Sequence, residues 1–281
     1  MWCLRTRWGV APILGAMLTG DRAVGQLASS FDPPRSNCCS VNAAKSLADQ
    51  LQDWNQIGRY HQANQEWKKQ PADPGRVVFL GDSITDFWKL DEYFPDKPYV
   101  NRGIGGQTTP QMLVRMYPDV IELQPRAMIL LAGINDVASN TGPSTAEMIE
   151  QNIMAMTELA QHHGIKVIVC SLLSVSDYPF LRQQKEDAPP APPRGPFPGL
   201  GPFPRMRMTE THPPSDIVKL NAWMKEYANR VSAIYADYFT ALVDEKGWLK
   251  DPDSGDGLHP NADGYKVMAP IAAAAIEKAL H

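Results

Sequence analysis

The chain has 281 residues and a formal net charge of −4, with an isoelectric point near 5.9. This length suits one large domain or two small ones, and an apolar fraction of 43% supports a sizeable hydrophobic core. The mild acidity and the lack of a basic block argue against nucleic acid or an anionic membrane surface as partners. Proline, with 25 residues, is nearly twice as frequent as its usual share of about 5%.

The first residues have the pattern of an export signal. Arg5 and Arg7 supply a charged start, Trp8 to Leu18 form an apolar run, and Ala23 to Gly25 offer a small-x-small cleavage site. The run is too short to span a bilayer, so no stable membrane insertion is expected. We predict that residues 1–25 are a signal peptide and that the mature protein is periplasmic or extracellular. The alternative is a buried N-terminal helix.

Cleavage of that signal would remove Cys3 and leave Cys38, Cys39 and Cys170, an odd number of cysteines. Cys170 lies in an apolar run and is predicted to be a buried thiol. The adjacent Cys38 and Cys39 could be oxidised in an exporting compartment. No Cys and His spacing in the sequence is typical of a zinc site.

Residues 26–75 are expected to form a loose lead-in and one helix that packs on the core. From Val41 to about Trp67, apolar side chains recur at helical spacing with polar residues between them. The apolar stripe consists of Leu47, Leu51, Trp54 and Ile57. We interpret this stripe as core, and the segment Pro71–Gly75 as the end of the helix.

From residue 76 to the C-terminus, strands and helices alternate. The predicted strands are Arg76–Leu80, Tyr99–Asn101, Ala127–Ala132, Lys166–Leu172 and Ala233–Ala236. The predicted helices are Thr109–Leu123, Ser144–His162 with a capping box at Ser144–Glu147, Ser215–Val231 and Ala262–Leu280. This alternation predicts an α/β fold in which a parallel sheet is covered on both faces, a three-layer α/β/α sandwich.

One segment interrupts this pattern. Residues 187–204 are dense in Pro and Gly, with Phe197, Leu200 and Phe203 interspersed, so they can neither extend a helix nor form a central strand. The segment follows the fourth strand and should leave the sheet at the edge where that strand ends. It is either a solvated surface loop or a lid over a substrate cleft.

The segment Gly81-Asp82-Ser83-Ile84-Thr85 directly follows the first strand. A parallel strand delivers such a serine to the carboxyl edge of the sheet, where open α/β sheets bind ligands. A serine hydroxyl needs a base to take its proton, and the base needs a group that orients it. Asp256-Gly257-Leu258-His259-Pro260 offers both on one turn. Taken alone, Ser83 could be an ordinary helix cap and His259 a surface histidine.

Acyl transfer also requires donors for the oxyanion of the tetrahedral intermediate. Gly106 can offer a backbone N–H without a side chain in the way, and Asn135 can offer a side-chain amide. The Ser83 N–H is a third candidate. Each of these segments could instead be a simple turn. Together, however, a nucleophile, three donors, a base and an acid should meet at one edge of the sheet.

These four segments resemble the conserved blocks of the SGNH-hydrolase superfamily, also called GDSL esterases and lipases. The matching residues are Gly81–Ile84, Asn101–Gly106, Gly133–Asp136 and Asp256–Pro260. The resemblance implies that residues 76–281 are a catalytic domain with a flavodoxin-like five-stranded parallel sheet, and that no metal or other cofactor is needed. It assigns Ser83 as nucleophile, His259 as base, Asp256 as its orienting acid, and Ser83, Gly106 and Asn135 as oxyanion donors. Gly106 is preferred to Gly105 because it aligns with the last glycine of its block.

Within the superfamily, Asn101–Gln107 looks more like the platelet-activating-factor-acetylhydrolase-like and secreted bacterial branches, which often cleave short acyl groups. The expected activity is therefore a serine esterase acting on short-chain, preferably acetyl, esters of small molecules or carbohydrates through an acyl-enzyme. Open alternatives are an O-acyltransferase, a lipase or lysophospholipase, a silent exported binding protein, and a metal site built from Asp82, Asp136, Asp256 and His259. The side chains considered for lining a substrate site, or else for core packing, are Trp88, Tyr178, Phe180 and Phe197. The oligomeric state is left open.

Overall fold

A parallel five-stranded sheet forms the centre of the computed structural model, which describes residue 48 and residues 51–185 and 207–281. The strands are β1 Val77–Gly81, β2 Tyr99–Gly103, β3 Ala127–Leu131, β4 Lys166–Cys170 and β5 Ile234–Ala236. Their order is β2-β1-β3-β4-β5, and every neighbouring pair is parallel. The chain thus proceeds to one side of β1 and then to the other, which leaves a crevice at the carboxyl end of β1.

The helices of the described residues flank this sheet. They are α1 His61–Lys68, α2 Ser83–Asp86, α3 Leu90–Tyr93, α4 Thr109–Val114, α5 Met116–Asp119, α6 Ile134–Val137, α7 Ala146–His162, α8 Tyr178–Lys185, α9 Met208–Thr211, α10 Pro214–Arg230, α11 Tyr238–Leu242 and α12 Ala262–Leu280. Helices α7 and α10 pack on each other and on β4, while α12 packs on β3, β4 and β5 from the other side. The predicted α/β fold with a five-stranded parallel sheet is confirmed.

The central strands are apolar throughout because both faces of the sheet are covered. Every residue of β1 and of β3 is buried, as expected for strands sandwiched between helical layers. Cys170, at the end of β4, is buried as predicted, and this burial raises the pKa of its thiol to about 12. Among the described residues, no helix is both long and apolar enough to cross a membrane.

The prediction of one continuous helix from Val41 to Trp67 is wrong. The chain turns at residues 53–55, forms a 3₁₀ turn at Ile57–Tyr60 and only then enters α1. The Asp53 carboxylate accepts the N–H groups of Ile57 and Gly58 at 3.0 and 2.9 Å. Such a side-chain acceptor competes with the helical hydrogen bonds and ends the helix.

The prediction that the apolar stripe of this helix belongs to the core is also wrong. Leu51 is 73% exposed and Trp54 is 49% exposed, so neither is a core residue. Ile57 is only partly buried, and Leu47 lies outside the described residues. The signal peptide, Cys38 and Cys39, and the Pro-rich segment 187–204 also lie outside them.

The predicted helix Thr109–Leu123 is broken into α4, α5 and the 3₁₀ turn Ile121–Leu123. The break has a covalent cause, because Pro118 has no N–H to donate to the carbonyl of Val114, where α4 ends. The other element bounds agree within two residues. The cap of α7 is Thr145, whose hydroxyl accepts the Met148 N–H at 3.2 Å, instead of the predicted Ser144.

At this break, Arg115 is directed into the protein interior. Arg115 and Asp119 are both fully buried and form an ion pair at 2.9 Å. The same guanidinium donates to the Gly81 carbonyl at 3.1 Å and to Gln107 Oε1 at 2.6 Å. One buried charge therefore connects α4–α5, the end of β1 and the segment that follows β2.

Replacing Arg115 by Met should lower the free energy of unfolding by about 3–5 kcal/mol, because the Asp119 carboxylate would be left buried without its partner. Urea unfolding followed by circular dichroism measures this loss. The matched control is Lys219→Met, which removes an exposed pair with Asp216 (side chains 76% and 51% exposed) and should cost less than about 1 kcal/mol. Equal losses in the two variants would contradict the prediction.

Candidate active site

Ser83 lies in the crevice at the carboxyl end of β1, as the first residue of α2. Asp82 caps this short helix, with its Oδ1 accepting the Ile84 N–H at 2.9 Å. Gly81 allows the sharp turn because a Cβ there would lie 2.1 Å from Thr85 Oγ1 and 2.8 Å from the Leu131 carbonyl oxygen. The strand, the glycine and the cap together present the serine at the sheet edge.

His259 and Asp256 lie near the C-terminal end of the sequence, and His259 contacts Ser83 in the folded chain. The His259 Nε2 is 2.9 Å from Ser83 Oγ, and its Nδ1 is 2.7 Å from Asp256 Oδ2. The remaining oxygen of Asp256 accepts the N–H groups of Leu258 and His259 at 3.0 and 2.8 Å. The turn that the sequence predicts for the acid and the base is therefore present, with Ser83 at its open end.

Hydrogen bonds set the charge on Asp256. Burial alone would raise the pKa of its carboxyl group, but the His259 ring and the N–H groups of His259 and Leu258 hold that pKa well below its usual range. The carboxylate thus stays ionised and faces the imidazole. An anion in this position fixes the ring tautomer and stabilises a protonated imidazole.

The loop after β2 also borders Ser83, at Gly105. An ideal Cβ on Gly105 would lie 3.7 Å from Ser83 Cβ. The Gly105 N–H donates to Asp86 Oδ2 at 3.1 Å, whereas the Gly106 N–H has no acceptor among the described residues. Gly106 has a φ of 78° and open space at its Cβ position. Among the described residues, the Gly106 N–H is therefore free to donate and the Gly105 N–H is not.

Asn135 is the second residue of α6, the short helix that follows β3. It is 5% exposed and its Nδ2 donates to the Gln107 carbonyl at 3.0 Å. Its Oδ1 accepts from Asn140 Nδ2 at 2.8 Å, so the amide plane is fixed and one Nδ2 hydrogen remains uncommitted. The structure thus places Asn135 against the loop that carries Gly106.

The alternative of a metal site is not supported by the contacts of its acids. The Asp136 carboxylate accepts both the N–H and the hydroxyl of Thr109, the latter at 2.6 Å, and Asp82 caps α2. Within residues 51–185 and 207–281, no three His, Cys, Asp or Glu side chains are grouped as potential metal ligands.

An exposed aromatic residue beside His259 is Phe87, which the sequence analysis missed. Phe87 is 56% exposed and its ring centroid lies 5.3 Å from that of His259. It is four residues after Ser83, so helical spacing alone could have identified it. Trp88 is buried and stacks on Tyr265, which leaves it the core role that was considered for it.

The other aromatic residues considered for a substrate site have different partners. The Tyr178 hydroxyl donates to Asp244 Oδ2 at 2.5 Å, and the Arg207 guanidinium lies over the Phe180 ring. Phe197 is outside the described residues. The structure therefore brings together Ser83, His259 and Asp256, with Gly106 and Asn135 beside them, while Tyr178 and Phe180 contact Asp244 and Arg207.

Comparison with known proteins agrees with this arrangement. The sequence model of the GDSL-like Lipase/Acylhydrolase family matches residues 79–267. The chain belongs to this family. The resemblance to the SGNH hydrolases that the four motifs indicated is thereby confirmed, and the family places the protein among the hydrolases.

Solved structures show the same fold. A candidate acylhydrolase from Bacteroides fragilis is 33% identical, with a TM-score of 0.68 over 82% of this chain and 99% of that one. A GDSL-like lipase from Bacteroides thetaiotaomicron is 32% identical, with a TM-score of 0.64 over 80% and 98%. Axe2, an acetyl-xylooligosaccharide esterase from Geobacillus, is 17% identical with a TM-score of 0.53 over 73% and 95%, which shows a shared fold alone.

A curated relative is the uncharacterized lipoprotein YqeF of Bacillus subtilis, which is 30% identical over 118 residues. The match covers 35% of this chain and 49% of the relative. The chain thus spans about half the length of the curated protein that it matches.

Asp82 should make the stability of the protein depend on pH. Its Oδ2 is buried without a hydrogen-bond partner, and burial, reinforced by the nearby Asp136 and opposed by the Ile84 N–H and His259, raises its pKa to about 7. Between the unfolded-state pKa of about 4 and this value, the folded state binds a proton that the unfolded state does not. Asp82 therefore favours folding fully only below about pH 4, and this contribution is lost as the pH rises to 7.

Asp82→Asn removes this titration while keeping an oxygen to accept the Ile84 N–H. From pH 5 to pH 8, the free energy of unfolding of the variant should gain about 1–3 kcal/mol relative to that of the wild type. Urea unfolding of both proteins at several pH values measures the difference. A difference that stays constant with pH would show that Asp82 does not titrate in this range.

Proposed function

We propose that this protein is an exported serine esterase that hydrolyses short-chain acyl esters, with acetyl as the preferred group. The observation that supports it is the pair of contacts that links Ser83 to His259 at 2.9 Å and His259 to Asp256 at 2.7 Å. Both contacts lie at the carboxyl edge of the sheet, beside an unoccupied backbone donor at Gly106. The arrangement has the nucleophile, base and orienting acid that acyl transfer to serine requires.

In the proposed mechanism, His259 Nε2 takes the proton of Ser83 as Oγ attacks the ester carbonyl carbon. The N–H groups of Ser83 and Gly106 and the Asn135 amide hold the oxyanion. The intermediate collapses, the ester C–O bond breaks, and the alcohol leaves with the proton from His259. Water, deprotonated by His259, then attacks the acyl-enzyme and releases the acid and Ser83.

The position of His259 also divides the substrate site. Because His259 must protonate the departing alcohol, the alcohol lies on the His259 side of Ser83 and the carbonyl oxygen on the Gly106 side. The exposed ring of Phe87 stands against the imidazole, on the alcohol side. A flat apolar ring at this point can pack against a sugar or another ring-shaped alcohol, which supports a carbohydrate ester as one substrate class.

The preference for short acyl groups rests on the resemblance of Asn101–Gln107 to branches of the superfamily that often remove acetate. The esterase that acts on acetylated xylooligosaccharides shares the fold. Export rests on the charged start and apolar run of residues 1–25. That the Bacillus subtilis relative is named a lipoprotein is consistent with a location outside the cytoplasm.

Ser83→Ala and His259→Ala should each lower kcat for p-nitrophenyl acetate by at least about 10³-fold, because these groups act as one unit. Asp256→Asn should cost less than His259→Ala, since Asp256 orients the base and does not itself transfer the proton. Steady-state kinetics measures the losses, and circular dichroism verifies that each variant is folded. The control is Ser215→Ala, an exposed serine, which should leave kcat unchanged. If Ser83→Ala kept a tenth of the wild-type rate, the nucleophile assignment would be wrong.

A series of p-nitrophenyl esters from acetate to palmitate tests the acyl preference. We expect the highest kcat/KM for acetate and butyrate, with activity lost in Ser83→Ala. A rate that rises with chain length would instead identify a lipase. Repeating the acetate reaction with a sugar acceptor and analysing the products separates hydrolysis from transfer, because only a transferase yields the acetylated sugar as its main product.

A further inference from the structure

The segment Asp53–Tyr60, here called the N-terminal segment, precedes the region matched by the family model and yet contacts the loop Gly103–Gln107. The Tyr60 hydroxyl donates to the Gly103 carbonyl oxygen, and Gln107 Nε2 donates to the Asn55 carbonyl oxygen at 2.8 Å. Behind the loop, Gln111 Nε2 donates to the Trp54 carbonyl oxygen. This segment is therefore joined by hydrogen bonds to the loop that carries the proposed oxyanion donor.

A fourth contact of the N-terminal segment reaches the loop through Asp86. Arg59 Nη2 pairs with Asp86 Oδ1 at 2.7 Å, and Asp86 Oδ2 accepts the Gly105 N–H at 3.1 Å. Asp86 ends α2, the helix that begins at Ser83. The Asp86 carboxylate thus connects α2, the loop Gly103–Gln107 and the N-terminal segment.

The loop and α2 are also in direct contact, so a shift of one is felt by the other. A Cβ on Gly103 would lie 2.1 Å from the Asp86 backbone nitrogen, which shows how closely the two backbones approach. With the Gly105 N–H committed to Asp86, the next amide, that of Gly106, is left without an acceptor in the part of the chain that the structure describes. The direction of the Gly106 N–H therefore depends on the bond between Gly105 and Asp86.

Resting on the esterase function proposed above, we propose that Arg59 is a positioning residue that, through Asp86, fixes the Gly106 N–H for the oxyanion. The Asp86 side chain is 16% exposed, so without Arg59 its carboxylate can turn toward water and release the Gly105 N–H. The loop contains two consecutive glycines and would then sample more orientations. A donor that is no longer preorganised stabilises the transition state less, while binding of the neutral ester changes little.

The alternative is that Arg59 and Asp86 form an ordinary surface ion pair. The Arg59 side chain is 45% exposed, and such pairs contribute at most about 1 kcal/mol to stability. A purely structural pair would change the melting temperature slightly and leave the kinetics alone. The two interpretations therefore differ in kcat, in KM and in the order of one loop.

The kinetic test compares Arg59→Met, Arg59→Lys, Asp86→Ala and the double variant on p-nitrophenyl acetate, next to wild type and Ser83→Ala. Arg59→Met should lower kcat about tenfold or more with KM within about twofold. It should also weaken inhibition by a trifluoromethyl ketone, whose adduct on Ser83 carries an oxyanion, by a similar factor. Arg59→Lys should restore most of the rate.

Comparing the double variant with Asp86→Ala tests whether Arg59 acts through Asp86. Asp86→Ala should be at least as slow as Arg59→Met, and adding Arg59→Met to it should cause no further loss, because residues in one pathway are not additive. The control is Lys68→Met, which removes another ion pair near the N-terminus, with Glu122, away from the loop. Unchanged kcat in Arg59→Met, or additive losses in the double variant, would overturn the proposal.

A measurement independent of turnover separates this proposal from the esterase function. Hydrogen exchange followed by mass spectrometry should show faster exchange in peptides covering residues 103–107 in Arg59→Met but not in Lys68→Met. If wild type hydrolyses no ester but this exchange difference is found, the proposed function fails while the link from Arg59 to the loop stands. Equal exchange in Arg59→Met and Lys68→Met would overturn the link from Arg59 to the loop. This holds even if wild type proves to be an esterase and Ser83→Ala proves to be inactive.

Discussion

The hydrogen bond between Ser83 Oγ and His259 Nε2 joins two residues that are 176 positions apart in the chain. It forms only because β1 lies inside the sheet and the turn before α12 returns to the carboxyl end of that strand. Bringing the ends of so long a segment together costs the chain conformational entropy, and the hydrogen bond alone cannot offset that cost. The contact is therefore a product of the whole sheet, and burial of the apolar strands is what supplies the free energy for it.

Tight turns then determine how the site is presented. Gly81 and Gly257 both lie where a Cβ would collide, at 2.1 Å from Thr85 Oγ1 and 2.2 Å from the Ser176 carbonyl oxygen. The Ser176 N–H also donates to the Gly257 carbonyl at 2.8 Å, so the turn that carries Asp256 and His259 is held to the segment after β4. The glycines on either side of the site thus serve close packing. Gly106 differs, because nothing occupies its Cβ position and its φ is 78°.

The parts of the fold that the sequence predicted are those with local causes. Strands β1 and β3 are continuous apolar runs because they are buried on both faces, and Asp256 and His259 lie three residues apart on one turn. The failures arise from side chains that compete with the backbone or act over distance. Asp53 ends a helix whose apolar spacing continued, and Pro118 breaks another. No periodicity reveals that Arg59 reaches Asp86, 27 residues later in the chain, since that pairing exists only in the folded structure.

The exposed glycines of the loop Gly103–Gln107, Gly105 and Gly106, explain why so many contacts converge on it. A backbone donor must be open to the substrate, which favours glycine at this point, but glycine has the greatest conformational freedom of any residue. Catalysis by a fixed dipole needs the opposite property, since a donor that must reorient loses its advantage over water. In this chain the order is supplied from outside the loop. Gln107 is held by the buried Arg115, Gly105 by Asp86, and Gly103 by Tyr60. The segment before the family's matched region thus contacts both ends of this short, open stretch of backbone, at Gly103 and at Gln107, and the buried Arg115 holds Gln107 as well.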